Sequence, residues 1–114
     1  MLDESRAIQI LRVPEYRTMK LAAPTDFDLL EALSDGKRNN AANLAIELGR
    51  NRSYINTRLP ILADYGLVDR IGPAERSGLY EITEKGLTVL EHRDEYGDDD
   101  VDFESLIDSG LDGD

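Results

Sequence analysis

Within the nine residues from position 50 to 58, Arg50, Arg52, Ser53, Tyr54, Asn56, Thr57 and Arg58 are of types that bond to nucleic acid. A guanidinium makes paired hydrogen bonds to guanine or to phosphate, and a carboxamide pairs two-fold with adenine. Serine and threonine hydroxyls bond phosphates, and a tyrosine ring packs on sugar or on a thymine methyl. Farther along, Arg70 and Arg76 flank the loop GPAERSG, with Ser77 near its end. Arginines at a loop tip suit a minor groove or the phosphate backbone. The plainer reading of both groups is a polar outer helix face and ordinary surface arginines.

Those side chains need a frame to hold them. NAANLAIELGRNRSYINTRLPILADYGL, Asn40 to Leu67, reads as two short helices joined by a tight turn. Ala45 is small enough for the second helix to cross close over the first. Gly49 supplies the φ > 0 conformation of the turn, and Ile55 plugs the second helix into the angle between them. This spacing is that of a helix-turn-helix, which carries one helix clear of the domain body and into a major groove.

The surrounding elements follow from caps and periodicity. The first helix is predicted from about Thr25 to Asp35, with Thr25 as N-cap, Asp28 completing a capping box and Gly36 as terminator. Phe27, Leu30 and Leu33 face its core. Asn39 or Asn40 caps the second helix, whose Leu44, Ala45 and Leu48 point inward, and Asn51 caps the third. The third helix, about Arg52 to Tyr65, buries Ile55, Leu59 and Leu62. Pro60 lies inside it, and a proline there removes an amide donor at a cost of about 3 kcal/mol. A kink is therefore expected, with base reading confined to residues 52–59. Gly66 closes the helix. Leu67–Ile71 and Leu79–Thr83 read as two strands around the loop, with Tyr80 and Ile82 on the core face. Thr83 caps a last helix carrying Leu87, Val89 and Leu90 and running to about Tyr96. The expected fold is mainly α with a small β-hairpin, a winged helix-turn-helix followed by an acidic C-terminal tail. Tyr65, in ADYGLV, reads as a packing residue.

The charge balance is acidic, with a net charge of −11 and pI near 4.4, whereas DNA-binding domains carry a basic footprint. The charges are segregated, however. Residues 37–76 hold seven Lys or Arg against four Asp or Glu, while residues 91–114 hold one Arg against eleven acids. The basic block coincides with the helix-turn-helix and the wing. Arginine (ten) outnumbers lysine (three), and aspartate (fourteen) outnumbers glutamate (ten). A hydrated carboxylate surface keeps a protein soluble in molar salt, where the Debye length falls to about 3 Å. The composition thus points to a halophilic source, and otherwise to an ordinary acidic protein with a disordered tail.

Other function classes find little support. There is no cysteine, and the only histidine, His92, opens the acidic tail. No metal centre or cofactor is expected. No Ser/His/Asp set or phosphate-binding glycine loop is present, so the chain is read as no enzyme. No apolar run approaches the ~18 residues of a membrane span, and no signal-peptide pattern opens the chain, which predicts a cytoplasmic protein that does not engage membranes.

The domain organisation is read as an N-terminal arm (1–23), a DNA-binding domain (24–96) and an acidic tail (97–114). Ala7, Ile8, Ile10, Leu11 and Val13 of the arm form a short amphipathic pattern before Pro14, either a frayed arm or a dimer-forming one. The tail, DDDVDFESLIDSGLDGD, intersperses Val101, Phe103, Leu106, Ile107 and Leu111 among acids. Such a segment is a passive halophilic tail, a docking segment for a protein partner, or a cover for the basic surface; it can also fold back as a short helix.

From about Met19 to Glu91 the chain resembles the winged helix-turn-helix transcriptional regulators of archaea. It is similar in layout to the MarR and PadR groups and to haloarchaeal phage-repressor-like proteins. The resemblance is carried by RSYINTRLPILADYGLVDRIGP followed by SGLYEITEKGLTVLE. It implies dimeric repressors that read inverted repeats in double-stranded DNA through the third helix and wing. By position, Arg52, Ser53, Tyr54, Asn56, Thr57 and Arg58 would be the readers. Pro60 departs from that pattern, and residues 1–18 and 97–114 lie outside it. The expectation is a sequence-specific DNA-binding regulator, a repressor and homodimer, using helix 52–59 and wing 70–78. The alternative is a protein-interaction module in which the winged helix docks on transcription machinery and the acidic tail binds a partner.

Overall fold

Leu29, Leu30 and Leu33 are fully buried and belong to the common hydrophobic core. The computed structural model describes residues 19–72 and 78–112. In chain order the elements are α1 (Thr25–Ala32), β1 (Asn39–Asn40), α2 (Ala41–Leu48), α3 (Arg52–Asp64), β2 (Val68–Ile71), β3 (Leu79–Ile82), α4 (Glu84–Glu91), a 3-10 turn (Arg93–Glu95) and α5 (Phe103–Asp112). The architecture is mainly helical with a small three-stranded antiparallel sheet.

Three helix starts follow the capping logic of the sequence. The side chains of Asn40, Asn51 and Thr83 accept hydrogen bonds from the amides of Asn43, Tyr54 and Gly86, at 2.8, 3.0 and 3.0 Å. Each satisfies one of the amides that a helix start leaves without a partner. At α1 the expectation fails. Pro24 occupies the cap position with no side-chain bond, and the hydroxyl of Thr25 accepts from Arg50 instead. The helix also stops at Ala32, short of Asp35, and the chain turns through Leu33 to Gly36.

Gly49 has φ +64° and follows α2 in the left-handed conformation that the turn into α3 requires. Ile55, Leu59 and Leu62 are all fully buried, and α3 runs unbroken through Pro60 to Asp64. The proline costs the helix one hydrogen bond without dividing it into two elements.

The hairpin is not alone. β3 lies between β2 and β1, in the order β1-β3-β2, with Asn39 opposite Tyr80 and Arg70 opposite Tyr80 on the other side. Residues two apart share a face of a strand, so Val68, Tyr80 and Ile82 pack toward the core together. The two-residue strand β1 has no hydrophobic pattern to announce it. Gly86 lets α4 approach the sheet closely, since a Cβ there would run into the Leu67 carbonyl and the Ile82 side chain.

The acidic segment after Tyr96 folds back. Phe103 and Ile107 of α5 are buried in the common core, and the ring of Tyr96 lies edge-on between Phe27 and Phe103, with centroids 5.6 and 5.1 Å away. Burying a side chain such as Ile107 contributes on the order of 2 kcal/mol toward holding this helix in place. At the other end, Met19 and Leu21 also belong to the core, so the folded unit extends from Met19 into α5. The apolar pattern of residues 7–13 lies outside the described residues. Among those described, no helix is long and apolar enough to cross a membrane.

Candidate nucleic-acid interface

The side of α3 opposite Ile55, Leu59 and Leu62 exposes Arg52, Ser53, Tyr54, Asn56 and Thr57. Helical periodicity makes this unavoidable: residues that flank buried positions at i, i+4 and i+7 are turned outward. Among the described residues the Arg52 side chain makes no hydrogen bond or ion pair. Tyr54 keeps 42% of its surface in solvent. The Thr57 hydroxyl donates to the carbonyl of Ser53 at 3.1 Å, leaving its oxygen free to accept.

Arg58 and Arg50, both expected among the DNA contacts, are turned inward. Arg58 donates from Nε and Nη2 to Asp26 Oδ1 and Oδ2 at 3.0 and 2.7 Å, a bidentate pair with a fully buried carboxylate. Its Nη2 also reaches the Lys20 carbonyl. The hydrogen bonds to Asp26 raise the guanidinium pKa above its ordinary value. Arg50 donates from Nη1 to Thr25 Oγ1 and from Nη2 to Asp28 Oδ2, each at 2.6 Å. The reason in both cases is the packing of α1 against this segment. The first turn of α1 puts Asp26 and Asp28 within reach of the two guanidinium groups. A charge count over the sequence therefore overstates the cations this surface offers.

On the hairpin, Arg70 donates to the Tyr80 hydroxyl at 3.0 Å, and its guanidinium lies 5.6 Å from that ring's centroid. It sits on the strand facing its register partner. Arg76 and Ser77 lie outside the described residues.

Asp28, Glu31, Asp35 and Glu47 line an open groove of about 450 Å³ between α1 and α2, a surface that repels phosphate. Arg93 bridges to Asp28 and Glu31 and lies over the Phe27 ring. The acidic α5 packs on α4. The described residues contain no group of three or more histidine, cysteine, aspartate or glutamate side chains arranged to hold a metal ion.

Asp26 and Asp28 are the residues that sequence reasoning missed. They stand 32 and 22 positions from the arginines they hold, and no local pattern links them. Asp26 carried a faint signal, an acid between a cap candidate and the apolar Phe27, which in a first turn reads as a favourable interaction with the helix dipole.

Comparison of the chain with protein-family models, with curated proteins and with solved structures returned no match.

Proposed function

We propose that this chain is a sequence-specific DNA-binding transcriptional regulator of winged helix-turn-helix type, acting as a repressor. The observation that carries the reading is the exposed face of α3. Arg52, Ser53, Tyr54, Asn56 and Thr57 stand outward together on a helix whose other side is locked into the core by Ile55, Leu59 and Leu62. That helix follows a glycine turn from α2, the arrangement that presents a helix to a major groove. Arg52 reaches guanine or phosphate, Asn56 pairs with adenine, and Ser53, Tyr54 and Thr57 contact backbone and sugar. The β2–β3 hairpin, with Arg70, Arg76 and Ser77, lies against the flanking backbone or minor groove. Two copies place their α3 helices about 34 Å apart, in successive major grooves, and block promoter access.

The docking alternative has less behind it. Phe103 and Ile107, two of the five apolar residues of the acidic segment, are buried in the chain's own core.

The test is selection of duplexes from a randomised library by the full chain, then anisotropy of the enriched duplex against a scrambled one from about 0.2 to about 2 M KCl. Selective binding that weakens in Arg52→Ala is the expected result. Equal binding of both duplexes that vanishes with salt overturns sequence-specific reading, and no binding at any salt overturns DNA binding altogether.

A further inference from the structure

Two acids of one helical turn hold two arginines at opposite ends of the exposed face. Arg50 precedes the outward-facing stretch Arg52–Thr57 and Arg58 follows it. Both arginines reach back to α1, where Asp26 takes Arg58 and Asp28 takes Arg50. The attachments are themselves braced. Asp26 Oδ2 also accepts the Ala22 amide at 2.7 Å, and Arg50 is shared between Asp28 and the buried Thr25 hydroxyl. Asp28 is additionally 3.7 Å from Arg93, which itself bonds Glu31 at 3.3 Å. Arg50 thus has two acceptor atoms and Arg58 three, and a planar fork held at two or more points fixes direction as well as distance.

We infer that Asp26 and Asp28 are positioning residues that fix how the face of α3 is presented to DNA, by gripping Arg58 and Arg50 at its two ends. The inference rests on the DNA-binding reading above. Ile55, Leu59 and Leu62 seat the helix in the core, but hydrophobic attraction itself has no direction. The two guanidinium–carboxylate pairs supply the directional restraint, and a reader of base edges needs its side chains held to within about 0.5 Å. Neither arginine then contributes a phosphate contact of its own.

A rival reading makes the opposite prediction for the same substitution. If Asp28 merely masks Arg50 from DNA, removing the carboxylate frees a cation for phosphate. If Asp28 positions the helix, removing it loosens the helix and frees nothing of use. The experiment takes the full chain as wild type, Asp28→Ala, Arg50→Lys and Arg52→Ala, at a temperature where circular dichroism finds each fully folded. The probe is the duplex enriched by the wild type, beside its scrambled counterpart. Two quantities are read: the preference for the enriched duplex, and the slope of log affinity against log salt.

Asp28→Ala and Arg50→Lys are expected to lower the preference by about tenfold with the slope unchanged, since no phosphate contact is lost or gained. Arg52→Ala is expected to lower affinity and reduce the slope by about one. Tighter binding with a steeper slope in Asp28→Ala overturns the positioning role in favour of masking. Unchanged preference and slope in both clamp variants reduces the pairs to ordinary stabilisation and equally overturns it. Wild type that enriches no duplex defeats the DNA-binding reading itself, and this inference with it.

Discussion

Arg58 meets Asp26 through two parallel hydrogen bonds at 3.0 and 2.7 Å, although the residues lie 32 positions apart. The carboxylate is fully buried, and 14% of the arginine side chain remains in solvent. The pair joins α3 to the start of α1 and, through the Lys20 carbonyl and the Ala22 amide, to the segment that leads into α1.

Breaking this pair from one side leaves a charge buried without its partner. Arg58→Ala is therefore expected to destabilise the chain by about 3–5 kcal/mol, read as a lowered denaturant midpoint. Arg58→Lys retains the charge but not the fork, and should recover only part of the loss. A change below about 0.5 kcal/mol, the range of ordinary surface sites, would show that the pair contributes nothing to the fold.

Arg52 is the converse case, an exposed arginine at the start of α3 with no intramolecular partner among the described residues. Arg52→Ala should leave thermal stability within about 0.5 kcal/mol of wild type. It should also reduce the salt dependence of binding to the enriched duplex by about one phosphate contact. Anisotropy titrations across salt concentrations, with a thermal melt of each variant, separate the two effects.

Gly86 sits where the start of α4 meets the end of α3's return to the sheet, and an added methyl would overlap the Leu67 backbone carbonyl. Because that carbonyl also accepts the Thr83 amide, it has little room to move. Gly86→Ala should cost on the order of 1–3 kcal/mol from overpacking, despite alanine's better helix propensity. Gly49→Ala is a useful control: nothing lies within 4 Å of its added methyl, and only the left-handed φ of +64° penalises it. Its cost should be about 1–2 kcal/mol. Urea midpoints for the two variants measure both.

Ile107 anchors the acidic α5 in the core with no surface left in solvent. Ile107→Ala should cost about 2–5 kcal/mol. A freely solvated acidic tail would show no change. Cooperative urea unfolding, followed by far-UV circular dichroism, distinguishes the two.

Local rules in the sequence determined a good deal. Periodicity picked out Ile55, Leu59 and Leu62 as the inner side of α3, and all three are fully buried. Side-chain geometry over three residues determined the caps at Asn51 and Thr83 and narrowed that of α2 to Asn39 or Asn40, and the turn at Gly49 needed only its own φ preference. The outward set Arg52, Ser53, Tyr54, Asn56 and Thr57 follows from the same arithmetic. Contacts between distant segments had no such signature. Only the tertiary structure decided that Arg50 and Arg58 turn inward, that Thr25 serves Arg50 in place of capping α1, and that Asn39–Asn40 adds a strand. Only it decided that Phe103 and Ile107 join the core. The physical reason is range: periodicity and capping act within a few residues along the chain. The partner of a long charged side chain is whichever carboxylate the fold brings within about 3 Å, and that depends on all the packing in between.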